Sequence, residues 1–319
     1  MRSAPPDPNI IVWFDNRFVR LCEANVNILT HALNYGSGVF EGIRGYYEEK
    51  KKELFLVRIL EHYERWKLNC GVLRIDIPLA PDELRDITAE LCRRNGFHSN
   101  VYVRPLAYKA SARIGVAADD NDAYAIVVLP FGDYFDSRKG MKAGVVSWRR
   151  VDDSAIPGRA KICGAYVNSV LAGDEARRNG HDEAIFLNQD GHVAEGATCN
   201  FFMWRNHKLV TPPVTDNILE GITRASIMEL ARNELKLEVV ERSIDRSELY
   251  MCDEMFFTGT AVEVAPIIQI DHRPVGNGEI GVITDKLRSL YLDANRGRIP
   301  AYRDWLWPVY RNAMIEKTA

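Results

Sequence analysis

Residues 159–202 read RAKICGAYVNSVLAGDEARRNGHDEAIFLNQDGHVAEGATCNFF, and the order of signals along them decides the fold class. Tyr166–Asn179 predicts a helix, closed by Gly180 as a helix stop requires. Glu183–Asn188 predicts a strand, Gln189-Asp190-Gly191 a hairpin turn, and Phe201–Trp204 a further strand. A single helix among short strands joined by tight turns is an α+β pattern, without regular βαβ alternation.

The same pattern extends in both directions. Downstream, Lys208–Val210 follows the turn Arg205-Asn206-His207, a helix runs from Gly221 to Leu235, and Asp245-Arg246-Ser247-Glu248 has the spacing of a capping box before one more short helix. Upstream, Gly144–Trp148 predicts a strand, and the polar, glycine-ended segment Asp133–Gly140 predicts a linker. Further back, Ile10–Phe14 and Phe18–Leu21 flank Asp15-Asn16-Arg17 as a hairpin. The strand Leu54–Val57 leads into a helix over Leu60–Leu68, where Leu60, Tyr63, Trp66 and Lys67 keep helical spacing. Pro81-Asp82-Glu83 opens another helix that Arg93-Arg94 and Gly96 close, and the strands Val101–Tyr108 and Tyr124–Pro130 follow. The expectation is two α+β domains: a small N-terminal domain over 1–134, a linker over 135–142 and a larger domain over 143–319.

Composition narrows the function classes. Across 319 residues, 46% are hydrophobic and 27% charged, the proportions of a globular chain and not of a disordered or fibrous one. Lys and Arg total 41 against 44 Asp and Glu, so the net charge of −3 lacks the basic footprint of a nucleic-acid binder. The opening MRSAPPDPNI has no apolar core and does not read as a signal peptide. Apolar runs such as AIVVLPF at 125–131 are strand-sized, well below the roughly 18 residues of a membrane span. Six cysteines without a CxxC pair read as reduced thiols, which points to the cytoplasm. Seven histidines form no HExxH and no zinc spacing, so no metal is expected. Gly36-Ser37-Gly38-Val39-Phe40-Glu41-Gly42 misses a dinucleotide fingerprint by one position, and neither a P-loop nor GxSxG is present.

Four segments taken together carry a resemblance: HALNYGSGVFEGIRGY (31–46), RILEHYERWKL (58–68), the 159–202 stretch and ILEGITRASIMELA (218–231), with FTGTAVEVAPI (257–267) in support. In this order they resemble the fold-type IV pyridoxal-phosphate enzymes, the D-amino-acid-aminotransferase-like fold, and within them the branched-chain aminotransferases. The resemblance implies that pyridoxal 5'-phosphate is the cofactor. Lys161 matches the lysine that bonds the cofactor aldehyde and, once displaced, shuttles a proton at the substrate Cα. Glu195 matches the carboxylate beside the pyridine nitrogen, and Tyr166 the tyrosine that bonds the phenolic oxygen. Arg65 matches the phosphate arginine, although a surface pair with Glu61 or Glu64 on its own helix is the plain alternative. Ile222 and Thr223 would offer helix-start N–H groups to the phosphate and Thr260 a hydroxyl.

For the substrate, the resemblance assigns the α-carboxylate to the turn Gly259-Thr260-Ala261, with help from Tyr102. Arg104 resembles the arginine that takes the second carboxylate of glutamate or 2-oxoglutarate, and it shares the face of Tyr102 by the period-two rule. Tyr35, Phe40 and Tyr134 would wall a leucine-sized side chain. A homodimer with shared active sites is implied, acting on small amino acids and 2-oxo acids. Two departures bear on scope. Gly196-Ala197-Thr198-Cys199-Asn200 stands where the family usually has Gly-x-Gly-Glu-Asn, and Lys109–Gly115 lacks a glycine-rich pattern while adding two positive charges. Rival readings are a D-amino-acid or (R)-amine transaminase, an aminodeoxychorismate lyase-like enzyme, and a cofactor-free protein that keeps only the fold.

Overall fold

The computed structural model describes residues 5–132 and 139–311; Tyr134 and residues 135–138 of the expected linker lie outside the described residues. The chain divides into two compact units, Met1–Gly132 with Lys161–Gly164 and Ala294–Ala319, and Asp133–Ala160 with Ala165–Asp293.

The first unit opens with β1 (Ile11–Phe14) and β2 (Arg17–Arg20), a two-residue hairpin whose turn residues Asp15 and Asn16 both take positive φ, as a primed turn demands. Helix α1 (His31–Tyr35) ends at Gly36, and β3 (Gly38–Phe40), β4 (Ile43–Glu48) and β5 (Glu53–Val57) follow. Helix α2 (Ile59–Val72) outruns the expected Leu60–Leu68 because His62, Tyr63, Trp66, Asn69 and Cys70 continue one buried face. Helix α3 (Pro81–Arg94) starts on its proline and stops before Gly96 at φ +62°. Strands β6 (Val101–Lys109) and β7 (Asp122–Pro130) complete an antiparallel sheet ordered from the C-terminal strand Leu306–Pro308 through β5, β4, β6, β7 and β1 to β2, with β3 on β6. Trp66, Tyr63, Tyr46, Ile43 and Leu54 fill its core.

Two segments assigned by sequence to the second domain lie in this unit. Leu306–Pro308 pairs with β5, and Arg298 donates to Glu48. Lys161–Gly164 crosses to β3, with a bridge between Val39 and Ile162. Both joins are strand pairings between distant segments, which no local pattern announces.

The second unit contains β8 (Met141–Arg149), helix α4 (Tyr166–Arg178), β9 (Glu183–Leu187), β10 (Val193–Gly196), β11 (Asn200–Arg205), β12 (Lys208–Thr211), helix α5 (Ile222–Asn233), β13 (Glu238–Glu241), β14 (Glu254–Gly259) and β15 (Glu263–Ile270). Its sheet runs β10, β9, β8, β15, β14, β11, β12, β13. Two parallel neighbours are joined by helical crossovers, β8 to β9 through α4 and β12 to β13 through α5; hairpins supply most of the rest. The aromatic strand faces of β11 and β14 bring Phe201, Phe202, Phe256 and Phe257 into the core. The expected capping box forms, with Asp245 N–H donating to Glu248.

Candidate active site

In the first unit, β3 organises four of the expected residues. Gly36 has φ +70°, and a Cβ there would lie 2.6 Å from the Gly164 Cα, so the chain around residue 164 can lie this close only because position 36 is glycine. Phe40 N–H donates to the Lys161 carbonyl at 3.1 Å, which fixes the lysine backbone against β3. The Lys161 Nζ then lies 4.9 Å from the centroid of the Phe40 ring, and the Arg104 guanidinium carbon 4.5 Å from the same centroid. Both cations are held by one ring quadrupole. Arg104 donates to the Tyr102 hydroxyl at 3.2 Å, as their shared face requires. That hydroxyl occupies the space over Gly42, where a Cβ would lie 2.1 Å away. Tyr35, at the end of α1, is partly exposed and accepts the Gly115 N–H at 2.9 Å.

Arg65 departs from the surface alternative. Its Nε and one terminal nitrogen donate to the two oxygens of Glu41 at 2.7 and 2.8 Å, while Glu61 pairs with Arg58. Glu41 is fully buried and also accepts His62 Nδ1–H at 3.0 Å and its neighbour Gly42 N–H. Burial opposes the Glu41 charge, but the Arg65 guanidinium and the His62 donor outweigh it and hold the carboxyl well below the usual carboxylate range. Burial lowers His62 below its ordinary value despite Glu41, so the ring is neutral and donates.

The Lys109–Gly115 loop carries less charge than its sequence suggests. Lys109 is buried, paired with Asp122 at 2.8 Å and donating to the Arg74 and Asp119 carbonyls, so it presents no cation to a ligand. Arg113 pairs with Asp119.

In the second unit, Glu195 lies at the buried end of β10. Arg150 meets one of its oxygens at 3.0 Å, while Asn200 Nδ2 and Leu219 N–H donate to the other at 3.0 and 3.2 Å. Arg150 is oriented in turn by the Asn217 carbonyl at 3.2 Å. A cation and two neutral donors keep this carboxylate charged away from water. Gly221 is part of the same construction: a Cβ on it would lie 1.9 Å from the Asn200 side-chain oxygen. Ile222 and Thr223 form the first turn of α5, which carries no acidic residue. Tyr166 opens α4. Gly259 ends β14, and Thr260 and Ala261 stand in the turn to β15. Glu41, Arg150 and Asn200 were not singled out by sequence. Glu41 and Asn200 stand inside the family-like segments, but Arg150 has no local signal because its partner is 45 positions away.

The chemistry of these donors suits pyridoxal 5'-phosphate: an amine and a guanidinium in the first unit for aldehyde and phosphate, a buried ionised carboxylate in the second for a protonated ring nitrogen. Among the described residues, no group of His, Cys, Asp or Glu could hold a metal ion, and no helix is long and apolar enough to cross a membrane.

Comparison with known proteins agrees. The sequence profile of the class IV amino-transferases matches residues 38–270. A probable branched-chain-amino-acid aminotransferase of Aquifex aeolicus is 46% identical over 93% of this chain and 96% of its own. The branched-chain-amino-acid aminotransferase of Salmonella typhimurium is 36% identical over 93% and 97%. Among solved structures, the branched-chain aminotransferase of Thermoproteus uzoniensis with norvaline superposes with a TM-score of 0.90 at 43% identity, covering 94% of this chain and 99% of that one. The branched-chain amino acid aminotransferase of Thermobaculum terrenum, in its PLP-bound holo-form, also gives 0.90, at 36% identity, covering 95% and 99%.

Proposed function

The chain belongs to the class IV aminotransferases, and on that premise we infer that it transfers the amino group between branched-chain L-amino acids and 2-oxoglutarate with pyridoxal 5'-phosphate. The observation that carries the reading is the buried Glu195 carboxylate, fixed by Arg150, Asn200 and the Leu219 N–H. The bound cofactor supplies a ring that accepts the electron pair left when the substrate Cα loses its proton. Glu195 keeps the ring nitrogen protonated, so the ring stays an electron acceptor. The Lys161 amine would hold the cofactor aldehyde and, once displaced by substrate, would move the proton from the substrate Cα to the former aldehyde carbon. Arg65, the Ile222 and Thr223 N–H groups and the Thr260 hydroxyl hold the phosphate, and Tyr166 the phenolic oxygen. Gly259, Thr260 and Ala261 receive the α-carboxylate with Tyr102. Arg104, resting on Phe40, takes the second carboxylate of glutamate, while Phe40 and Tyr35 wall the apolar side chain.

The working form is a homodimer in the cytoplasm. Ile28, Leu33, Ile114 and Val116 are exposed on two segments tied together by Tyr35 with Gly115 and by Arg113 N–H with the Leu29 carbonyl. An apolar patch of this kind suits a subunit contact. All six cysteines are unpaired, which suits a reducing compartment.

Half-reaction spectra test the function. The protein saturated with cofactor is mixed separately with L-leucine, L-glutamate, D-alanine and an (R)-arylalkylamine. Loss of the yellow band with the two L-amino acids alone supports the assignment. Loss with D-alanine or the amine as well widens the scope, and no change with L-leucine overturns it.

A further inference from the structure

The Glu41 carboxylate stands in no proposed contact with cofactor or substrate, yet it is fully buried and every partner it has is a donor. Burying a charge this completely is costly, and only well-placed donors such as Arg65, His62 and the Gly42 N–H offset it. Its two bonds to Arg65 lie along one edge of the guanidinium, from Nε and one terminal nitrogen, so they set the plane and direction of the fork. His62 Nδ1–H and the Gly42 N–H hold the carboxylate from behind.

The residues just before Glu41 have a second attachment. Phe40 N–H holds the Lys161 carbonyl at 3.1 Å, and Val39 bridges Ile162. The Val39 carbonyl accepts the Trp66 indole N–H at 3.0 Å, tying the helix that carries Arg65 to the same strand. Glu41 N–H donates to the Pro105 carbonyl at 3.0 Å, which anchors the segment on β6. Three consecutive residues therefore hold the backbone of the lysine and the side chain of the arginine.

We propose that Glu41 is a positioning residue that aims Arg65 at the cofactor phosphate, and that Val39–Phe40–Glu41 sets the spacing between Arg65 and Lys161 to match one rigid ligand. The proposal rests on Arg65 as the phosphate ligand. A side chain held in the bound orientation in advance loses less entropy on binding, and this gain applies only to ligands that reach it.

The test compares ligands with and without the phosphate. The full-length chain, freed of cofactor, is titrated with pyridoxal 5'-phosphate and with pyridoxal, for the native protein and for Glu41→Gln, Glu41→Asp and Arg65→Met. Glu41→Gln is expected to weaken pyridoxal 5'-phosphate by about tenfold and pyridoxal by less than about twofold, with inorganic phosphate competing correspondingly less well. Glu41→Asp keeps the charge but withdraws it by one methylene, so it should shift the same ratio to a smaller degree; it decides the matter if the glutamine variant does not fold. Equal weakening of both ligands would mean a purely structural role and overturn the proposal, as would an unchanged ratio. If Arg65→Met shifts the ratio and the Glu41 variants do not, the positioning role alone fails. If Arg65→Met leaves the ratio unchanged, the phosphate assignment fails and the proposal with it.

Discussion

The Arg150–Glu195 pair offers a quantitative test of how the second unit holds a charge away from water. The two side chains are 9% and 7% exposed, and the closest nitrogen and oxygen are 3.0 Å apart. At that separation an effective dielectric near 20 gives roughly 5 kcal/mol of gross attraction. Desolvation of two ions offsets more than half of it, so a coupling of about 2 kcal/mol is expected. Arg150→Met leaves Glu195 with the Asn200 and Leu219 donors but removes its cation, and should cost about 3 kcal/mol. That corresponds to a fall in melting temperature of roughly 5 °C or more. Glu195→Gln should cost somewhat less, because Arg150 keeps the Asn217 carbonyl. The double variant removes both charges and should be clearly more stable than the sum of the single losses predicts. Denaturant unfolding of the four proteins, all without cofactor, measures the cycle. Additivity within about 0.5 kcal/mol would refute the argument that the pair is coupled.

Three further outcomes follow from the same geometry. Gly221→Ala places a methyl within 1.9 Å of the Asn200 oxygen and must turn that side chain off Glu195, so stability should fall by about 1–3 kcal/mol, read by thermal melting. His62 is neutral and buried with its proton affinity lowered by burial, so the unfolded chain takes up a proton that the folded one refuses; its share of the stability is present above pH 6.5 and fades below it. The loss grows as the pH falls below 6.5, and His62→Asn, which keeps a donor for Glu41, should flatten the pH dependence of unfolding there. Lys161→Ala should abolish the yellow band and nearly all turnover; normal transamination rates in that variant would displace Lys161 from the mechanism.

Local signals were legible where local chemistry decides. Asp15-Asn16 and Asn206-His207 take the positive φ values their turns require, Pro81 and Gly96 bracket α3, and Asp245 with Glu248 form their box. Pairings across long stretches of chain were not. Gly36–Gly42 reads as a near miss of a dinucleotide fingerprint, yet Gly38–Phe40 and then Ile43–Glu48 form strands because β6 lies beside both. Lys109 reads as an added positive charge in its loop and is instead neutralised by Asp122, thirteen positions on and directly opposite across β6 and β7. The plain alternative for Arg65, a pair with Glu61 or Glu64 on its own helix, is not what the fold builds: the carboxylate that holds it comes from Glu41. Residues that would touch a cofactor could be named from short segments resembling a family. The residues that hold those residues in place needed the fold.

The most direct test of the account is chemical trapping at the lysine. The holoprotein is reduced with borohydride, digested, and its peptides are sequenced by mass spectrometry. The account predicts the reduced phosphopyridoxyl group on Lys161 and on no other residue; its appearance on a different lysine, or its absence from a protein saturated with cofactor, would contradict it.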